Sequence, residues 1–181
     1  MFRSIPRSVH RRPLAARRGF TLLELLVVIA IIGLIAALLL PNFIDALQKA
    51  AQKKSMGDIR IVGTGLMSWL TDQSGGAAAA GAETVDLTKI PELTRPQVDA
   101  ILVPRYIQIT PELDGWKTPY EYRLDQANVH GQLVLGVRSL GRDGIAQGTS
   151  YTTGSFEPTD YDQDLVWIDG GFVRWPGHKA S

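Results

Sequence analysis

The chain has 181 residues, 45% hydrophobic and 20% charged, with no Cys and a formal net charge of +1. That length supports one domain of ordinary size, and the composition excludes collagen-like, disulfide-stapled and wholly disordered classes. Thiolate catalysis and Cys-ligated zinc are excluded as well, and His10, His130 and His178 are too scattered for a metal-ligand cluster.

The charge is unevenly placed. Six of the 19 basic residues (Arg3, Arg7, Arg11, Arg12, Arg17, Arg18) lie in the first 19 positions, which hold no acid, leaving 13 basic against 18 acidic residues in the remainder. The body therefore lacks the electrostatic basis for binding nucleic acid. From Phe20 to Leu40 the run FTLLELLVVIAIIGLIAALLL carries Glu24 as its only charge. As a helix it measures about 31 Å, one hydrocarbon core, and the leading arginines place the N-terminus in the cytoplasm and the C-terminal body across the membrane. A secretory signal peptide would carry an A-x-A site after this run, and none occurs between Phe20 and Gln52.

The junction Arg17-Arg18-Gly19-Phe20-Thr21-Leu22-Leu23-Glu24 sets Gly19 ahead of the apolar run and an acid five residues later. It resembles the processing site of type IV prepilins and type II secretion pseudopilins. The resemblance implies that a membrane prepilin peptidase cuts between Gly19 and Phe20 and N-methylates the new N-terminus. Residues 1–19 are then a leader, and removing those 19 of the 181 leaves 162. Pro41 sits where this family has its helix-bending Pro; losing an intrahelical hydrogen bond there predicts a kink or a melted stretch. A carboxylate inside hydrocarbon is costly and faces a partner more often than lipid. In a filament of parallel helices the Phe20 ammonium of one subunit can neutralise Glu24 of the next; the bland alternative is an acid snorkelling to the membrane surface.

After Pro41, Ile44, Leu47 and Ala51, then Ile59, Val62, Leu66 and Trp69, recur at helical spacing and predict an amphipathic continuation to residue 74, opposite Lys49, Lys53, Lys54, Asp58 and Arg60. Gly57, Gly63 and Gly65 weaken helix propensity, so packing must hold this stretch, and close helix–sheet contact explains these glycines better than a nucleotide loop, for which no strand precedes them. Residues 75–82, GGAAAAGA, predict a loop. Pro96 to Leu102 predicts a short helix with Thr94 as N-cap. Alternation in 120–124 and 132–138, and the apolar runs Leu165–Ile168 and Phe172–Trp175 flanking Asp169-Gly170-Gly171, predict a small antiparallel sheet ending in a hairpin. Trp116, Trp167, Trp175, Tyr120 and Tyr122 are expected to pack in the core or on a sheet face rather than bind carbohydrate. Ser and Thr in 150–155 lie beside no His or Lys in a nucleophile motif, so no enzyme is read here.

Asp114-Gly115-Trp116-Lys117-Thr118-Pro119-Tyr120-Glu121-Tyr122 resembles the D-P-W-G-x-P-Y-x-Y stretch of major pseudopilins, and Ser139-Leu140-Gly141-Arg142-Asp143-Gly144 their S-L-G-x-D-G loop. Gly115 stands in place of Pro and Lys117 in place of Gly, and the segment from Ile145 to Thr159 is longer than usual. In that family loops after the sheet's second strand bind calcium through carboxylates and a backbone carbonyl, which implies a Ca²⁺ set of Leu140, Asp143, Asp160, Asp162 and Asp164. Hard oxygen donors suit calcium better than zinc or copper. The spacing is not that of an EF-hand, and a solvated acidic loop with Arg142 as counter-charge remains the alternative.

Together these features imply an α+β, type IV pilin-like fold: a leader over 1–19, a long helix over 20–74 whose part 20–40 spans the bacterial inner membrane, and a periplasmic head over 75–181 with a small antiparallel sheet. The resemblance implies a filament subunit of type II secretion that associates with itself, prepilin peptidase, other pseudopilins and the inner-membrane secretion platform. The rivals are a type IV pilin serving adhesion, motility or DNA uptake, and a monomeric membrane-anchored calcium-binding protein.

Overall fold

Helix α1 runs over Leu22–Ser74, 53 residues that include Pro41. The structure, a computed structural model, describes residues 19–74 and 84–178; the arginine-rich leader before Gly19 and the glycine-alanine loop lie outside the described residues. The chain divides between Asn42 and Phe43 into two units. In the first, every residue from Gly19 to Asn42 is exposed, and α1 there is long and apolar enough to cross a membrane by length and composition. A helix satisfies its own backbone polar groups, which suits it to lipid. The expected melted stretch does not occur, since α1 stays helical through Pro41. Proline removes one N–H, and the bonds on either side carry the helix past it.

In the second unit, α1 from Phe43 onward presents Gln52, Ser55, Ile59, Val62, Gly63, Gly65, Leu66 and Leu70 as its buried face. This corrects the expected stripe at its N-terminal end, where Ile44 and Leu47 are about half exposed, at 49% and 53%. At the other end Trp69 packs half-buried against the core and Leu70 beside it is fully buried. Adjacent apolar residues such as Trp69 and Leu70 cannot be ranked by periodicity; the sheet decides between them.

That sheet has six strands in the order β2-β3-β4-β7-β8-β6, formed by β2 (Glu92–Leu93), β3 (Glu121–Leu124), β4 (Leu135–Ser139), β6 (Gly154–Phe156), β7 (Leu165–Ile168) and β8 (Gly171–Pro176). β1 (Thr84–Asp86) pairs with β5 (Ser150–Thr152) in a separate two-stranded sheet. The expected sheet is therefore present, but its β6–β8 edge is parallel and a second sheet accompanies it. The long segment 145–159 supplies the whole of β5 and β6.

Helix α2 (Arg95–Leu102) starts one residue before the expected Pro96. The Thr94 N–H donates to Gln97 Oε1 at 2.8 Å, closing the first turn. The β7–β8 hairpin turns on Asp169 (φ 44°) and Gly170 (φ 105°), the positive-φ pair that a two-residue turn demands.

β7 is buried on both faces because two cores flank it. Leu165 and Trp167 join Ile59, Val62, Leu66, Val98, Tyr120, Tyr122 and Leu135 on the α1 side. Val166 and Ile168 join Val85, Leu87, Tyr151 and Val173 on the other. Gly63 lets α1 pack tightly on the sheet: a Cβ there would lie 2.8 Å from the Trp167 ring.

Candidate functional site

Three places carry the residues singled out by sequence, and the first is the start of α1. Gly19 and Phe20 are exposed ahead of the helix, Phe20 at 74%, so the peptide bond between them is accessible. The Thr21 N–H and Oγ1 donate to Glu24 Oε2 at 2.8 and 2.9 Å, and the Glu24 N–H donates back to Thr21 Oγ1 at 3.1 Å. This reciprocal capping box satisfies orphan donors at the helix start. Glu24 thus has a local role that sequence reasoning missed, although Thr21-x-x-Glu24 ahead of an apolar run is its recognised signature.

The second place is the turn around Asp114. Its carboxylate is buried and accepts from the Trp116 and Thr118 N–H groups at 2.8 and 2.9 Å through Oδ1, and from Ser139 Oγ at 2.6 Å through Oδ2. The turn docks on α1: the Gly115 N–H donates to Ser55 Oγ at 2.8 Å, and Trp116 Nε1 donates to Gln48 Oε1 at 2.7 Å. A Cβ on Gly115 would fall 2.1 Å from the Ala51 carbonyl oxygen, which explains glycine at this position. Lys117, in the place of a family glycine, adopts φ 70°.

The third place is a pair of acidic loops, 140–145 and 160–164, which the fold presses together. The Arg142 N–H donates to the Tyr161 carbonyl at 2.8 Å, and Gly141 (φ 68°) abuts the 161–163 backbone. The acids are not used alike. Asp162 is held by Arg142 in a bidentate pair at 2.8 and 2.7 Å, which keeps its carboxyl below the usual range. Asp143 accepts from the Ile145 N–H at 3.0 Å, and Asp160 accepts from Gln163 Nε2 at 2.9 Å. Leu140 is half buried where the first loop begins. Asp164 is buried, and burial pushes its carboxyl upward against the hydrogen bonds of Tyr151 and the Gln147 N–H. Its Oδ1 has no hydrogen-bond partner among the described residues. Among the described residues no three His, Asp or Glu side chains form a closed metal-binding group; Arg142 engages Asp162, and Asp164 carries the bare buried oxygen.

The chain matches the prokaryotic N-terminal methylation motif over residues 14–40. It is 33% identical over 129 residues to a type II secretion system core protein G from Pectobacterium carotovorum, covering 71% of this chain and 78% of the relative. It is also 34% identical to the core protein G of Dickeya chrysanthemi over 132 residues, 71% and 80% of the two chains. The chain belongs to the core protein G family of type II secretion systems. As a pseudopilin of that family it is a structural subunit of the secretion machinery. Similarity to fimbrial protein Q of Moraxella bovis, 38% identical, spans 77 residues, 40% of the pseudopilin and 49% of the fimbrial protein. No solved structure matches the chain.

Proposed function

We propose that this pseudopilin is cut between Gly19 and Phe20 by a prepilin peptidase, N-methylated on Phe20, and held in the bacterial inner membrane with its C-terminal body in the periplasm. It then assembles with copies of itself and with other pseudopilins, on the inner-membrane secretion platform, into a periplasmic filament whose growth drives secreted proteins outward. The observation that carries this reading is the uncovered apolar surface from Leu22 to Leu40, interrupted by one carboxylate. Lipid accepts such a surface but not the carboxylate. Stacked parallel helices bury the same surface and bring the carboxylate a cation, the neighbour's Phe20 ammonium, while Oε2 stays on Thr21.

The proposal extends to a calcium ion on the paired loops. The donors there are hard oxygens, which suit Ca²⁺, and a cation relieves the burial of Asp164 Oδ1 without a partner. Asp164, Asp143 and the Leu140 carbonyl would hold the ion, with Asp160 adding negative charge around it and Asp162 joining them only on release from Arg142. Bound calcium would supply a divalent tie between two loops that no disulfide joins.

Intact-mass measurement of the protein extracted from bacterial membranes tests the processing directly. The expected species has 162 residues and one added methyl group on Phe20. A native polypeptide beginning at Met1, or beyond Leu40, would overturn the reading.

A further inference from the structure

Tyr151 of β5 reaches the acidic loops from a segment that the pseudopilin motifs do not include. The side chain is buried, and its hydroxyl lies within hydrogen-bond distance of Asp164 Oδ2, Arg138 Nη1 and the Gly148 carbonyl. A tyrosine hydroxyl has one proton to give. Arg138 Nη1 already donates to the Gly148 carbonyl at 2.7 Å and to the Tyr151 oxygen at 2.8 Å. The Tyr151 proton therefore goes to the carboxylate, the stronger acceptor.

The Gln147 N–H donates to the same Asp164 Oδ2 at 3.0 Å. Both donors from the 145–159 segment thus hold one oxygen of the pair and leave Oδ1 bare. Arg138 does not compete for it. Its Nε donates to Glu121 Oε2 at 3.0 Å, and its nearest approach to Asp164 is 3.9 Å, to Oδ2. Asp143 stands on the facing loop, whose backbone abuts residues 161–163.

We propose that Tyr151 is a positioning residue of the calcium site: its hydroxyl grips Asp164 by Oδ2 and so presents Oδ1 to the ion. This rests on the calcium reading above and goes beyond it, because it assigns the long segment 145–159 a part in the site. Partners that orient metal ligands without touching the metal contribute about 10–100-fold to affinity. Tyr151→Phe removes the hydroxyl and keeps the ring against Val85 and Val166 in its core.

The test is a calcium titration by calorimetry into the full chain in detergent, stripped of metal beforehand, with melting temperatures taken with and without Ca²⁺. Wild type should bind, Asp164→Asn should not, and Tyr151→Phe should bind about tenfold more weakly and gain less melting temperature from calcium. Arg138→Lys keeps the charge but loses the nitrogen that orients the hydroxyl, and should weaken binding too, which keeps the idea testable if the Phe variant folds poorly. A Tyr151→Phe variant that melts lower without metal yet binds Ca²⁺ as wild type does would overturn the positioning role and leave the calcium reading standing. Absence of binding by wild type would overturn both, and the wild-type curve alone reports it.

Discussion

Replacing Gly57 and Gly63 by Ala, one at a time, makes the same chemical change twice on one helix and should give opposite results. In a helix interior Ala is favoured over Gly by about 0.8–1 kcal/mol. Gly57 is exposed and a Cβ there meets nothing within 4 Å, so that gain is realised in full. At Gly63 the Cβ would sit 2.8 Å from two Trp167 ring atoms and 2.9 Å from a third. Trp167 is 4% exposed, its strand pinned between Val137 and Phe172 in the register, and cannot swing clear. Overpacking of this kind costs about 1–3 kcal/mol. Against the propensity gain, Gly63→Ala is therefore destabilising by up to roughly 2 kcal/mol. For a domain of this size each kcal/mol moves the melting temperature by roughly 3–4 °C. Tryptophan fluorescence melts of the full chain in detergent should rise by about 3 °C for Gly57→Ala and fall by up to about 7 °C for Gly63→Ala. Equal stabilisation by both would refute the close helix–sheet contact.

Two further substitutions test local conformation and charge. Lys117→Gly should stabilise the chain by about 0.5–1 kcal/mol in urea unfolding, because a left-handed backbone is strained for Lys and free for Gly. Asp169 is buried, and burial pushes its carboxyl up while the Leu135 and Val134 N–H groups pull it back down. With the folded-state value raised above the ordinary aspartate value of about 3.9, the native state holds the proton more tightly than the unfolded chain. Stability from this group is present at lower pH and lost as pH rises through the raised value. Asp169→Asn keeps an acceptor and a residue tolerant of positive φ, so its urea midpoint should gain on wild type between pH 4 and pH 7; a constant difference across that range would contradict the burial.

Where local chemistry decides structure, the elements could be read directly. Thr94 with Pro96 marked the start of α2, and the Asp169-Gly170 turn marked the β7–β8 hairpin, because caps and positive-φ turns are specified by a few neighbouring residues. Tyr122 and Leu124 alternate with half-buried Glu121 and Arg123 in β3 as the pattern indicated. β1, β5 and β6 were not legible: each has three residues, too few for a period, and each exists because a distant strand pairs with it. Ile44 and Leu47 fit the helical stripe but stay exposed, since periodicity reports which residues are apolar and not what covers them. In the acidic loops, Arg142 was recognisable as a counter-charge, whereas the hold of Tyr151 on Asp164 spans 13 residues and two strands. Glu24 shows the opposite case: its capping partner lies three residues away, while a charge in an apolar run points first to a distant partner.

Glu24 is also where the assembly mechanism can be tested most directly, by comparing Glu24→Gln with Glu24→Ala. The glutamine carbonyl can still accept from the Thr21 N–H and Oγ1, so it preserves the cap without the charge; alanine removes both. The measurement is the share of mature chain recovered in sheared filaments against the share left in membranes, read by immunoblot and electron microscopy from cells overproducing the secretion machinery. Both variants should remain in the membrane, be processed, and fail to form filaments. Wild-type filament yield from Glu24→Gln would show that the residue serves only as a helix cap, and would contradict assembly driven by pairing of the carboxylate with a neighbour's N-terminal ammonium.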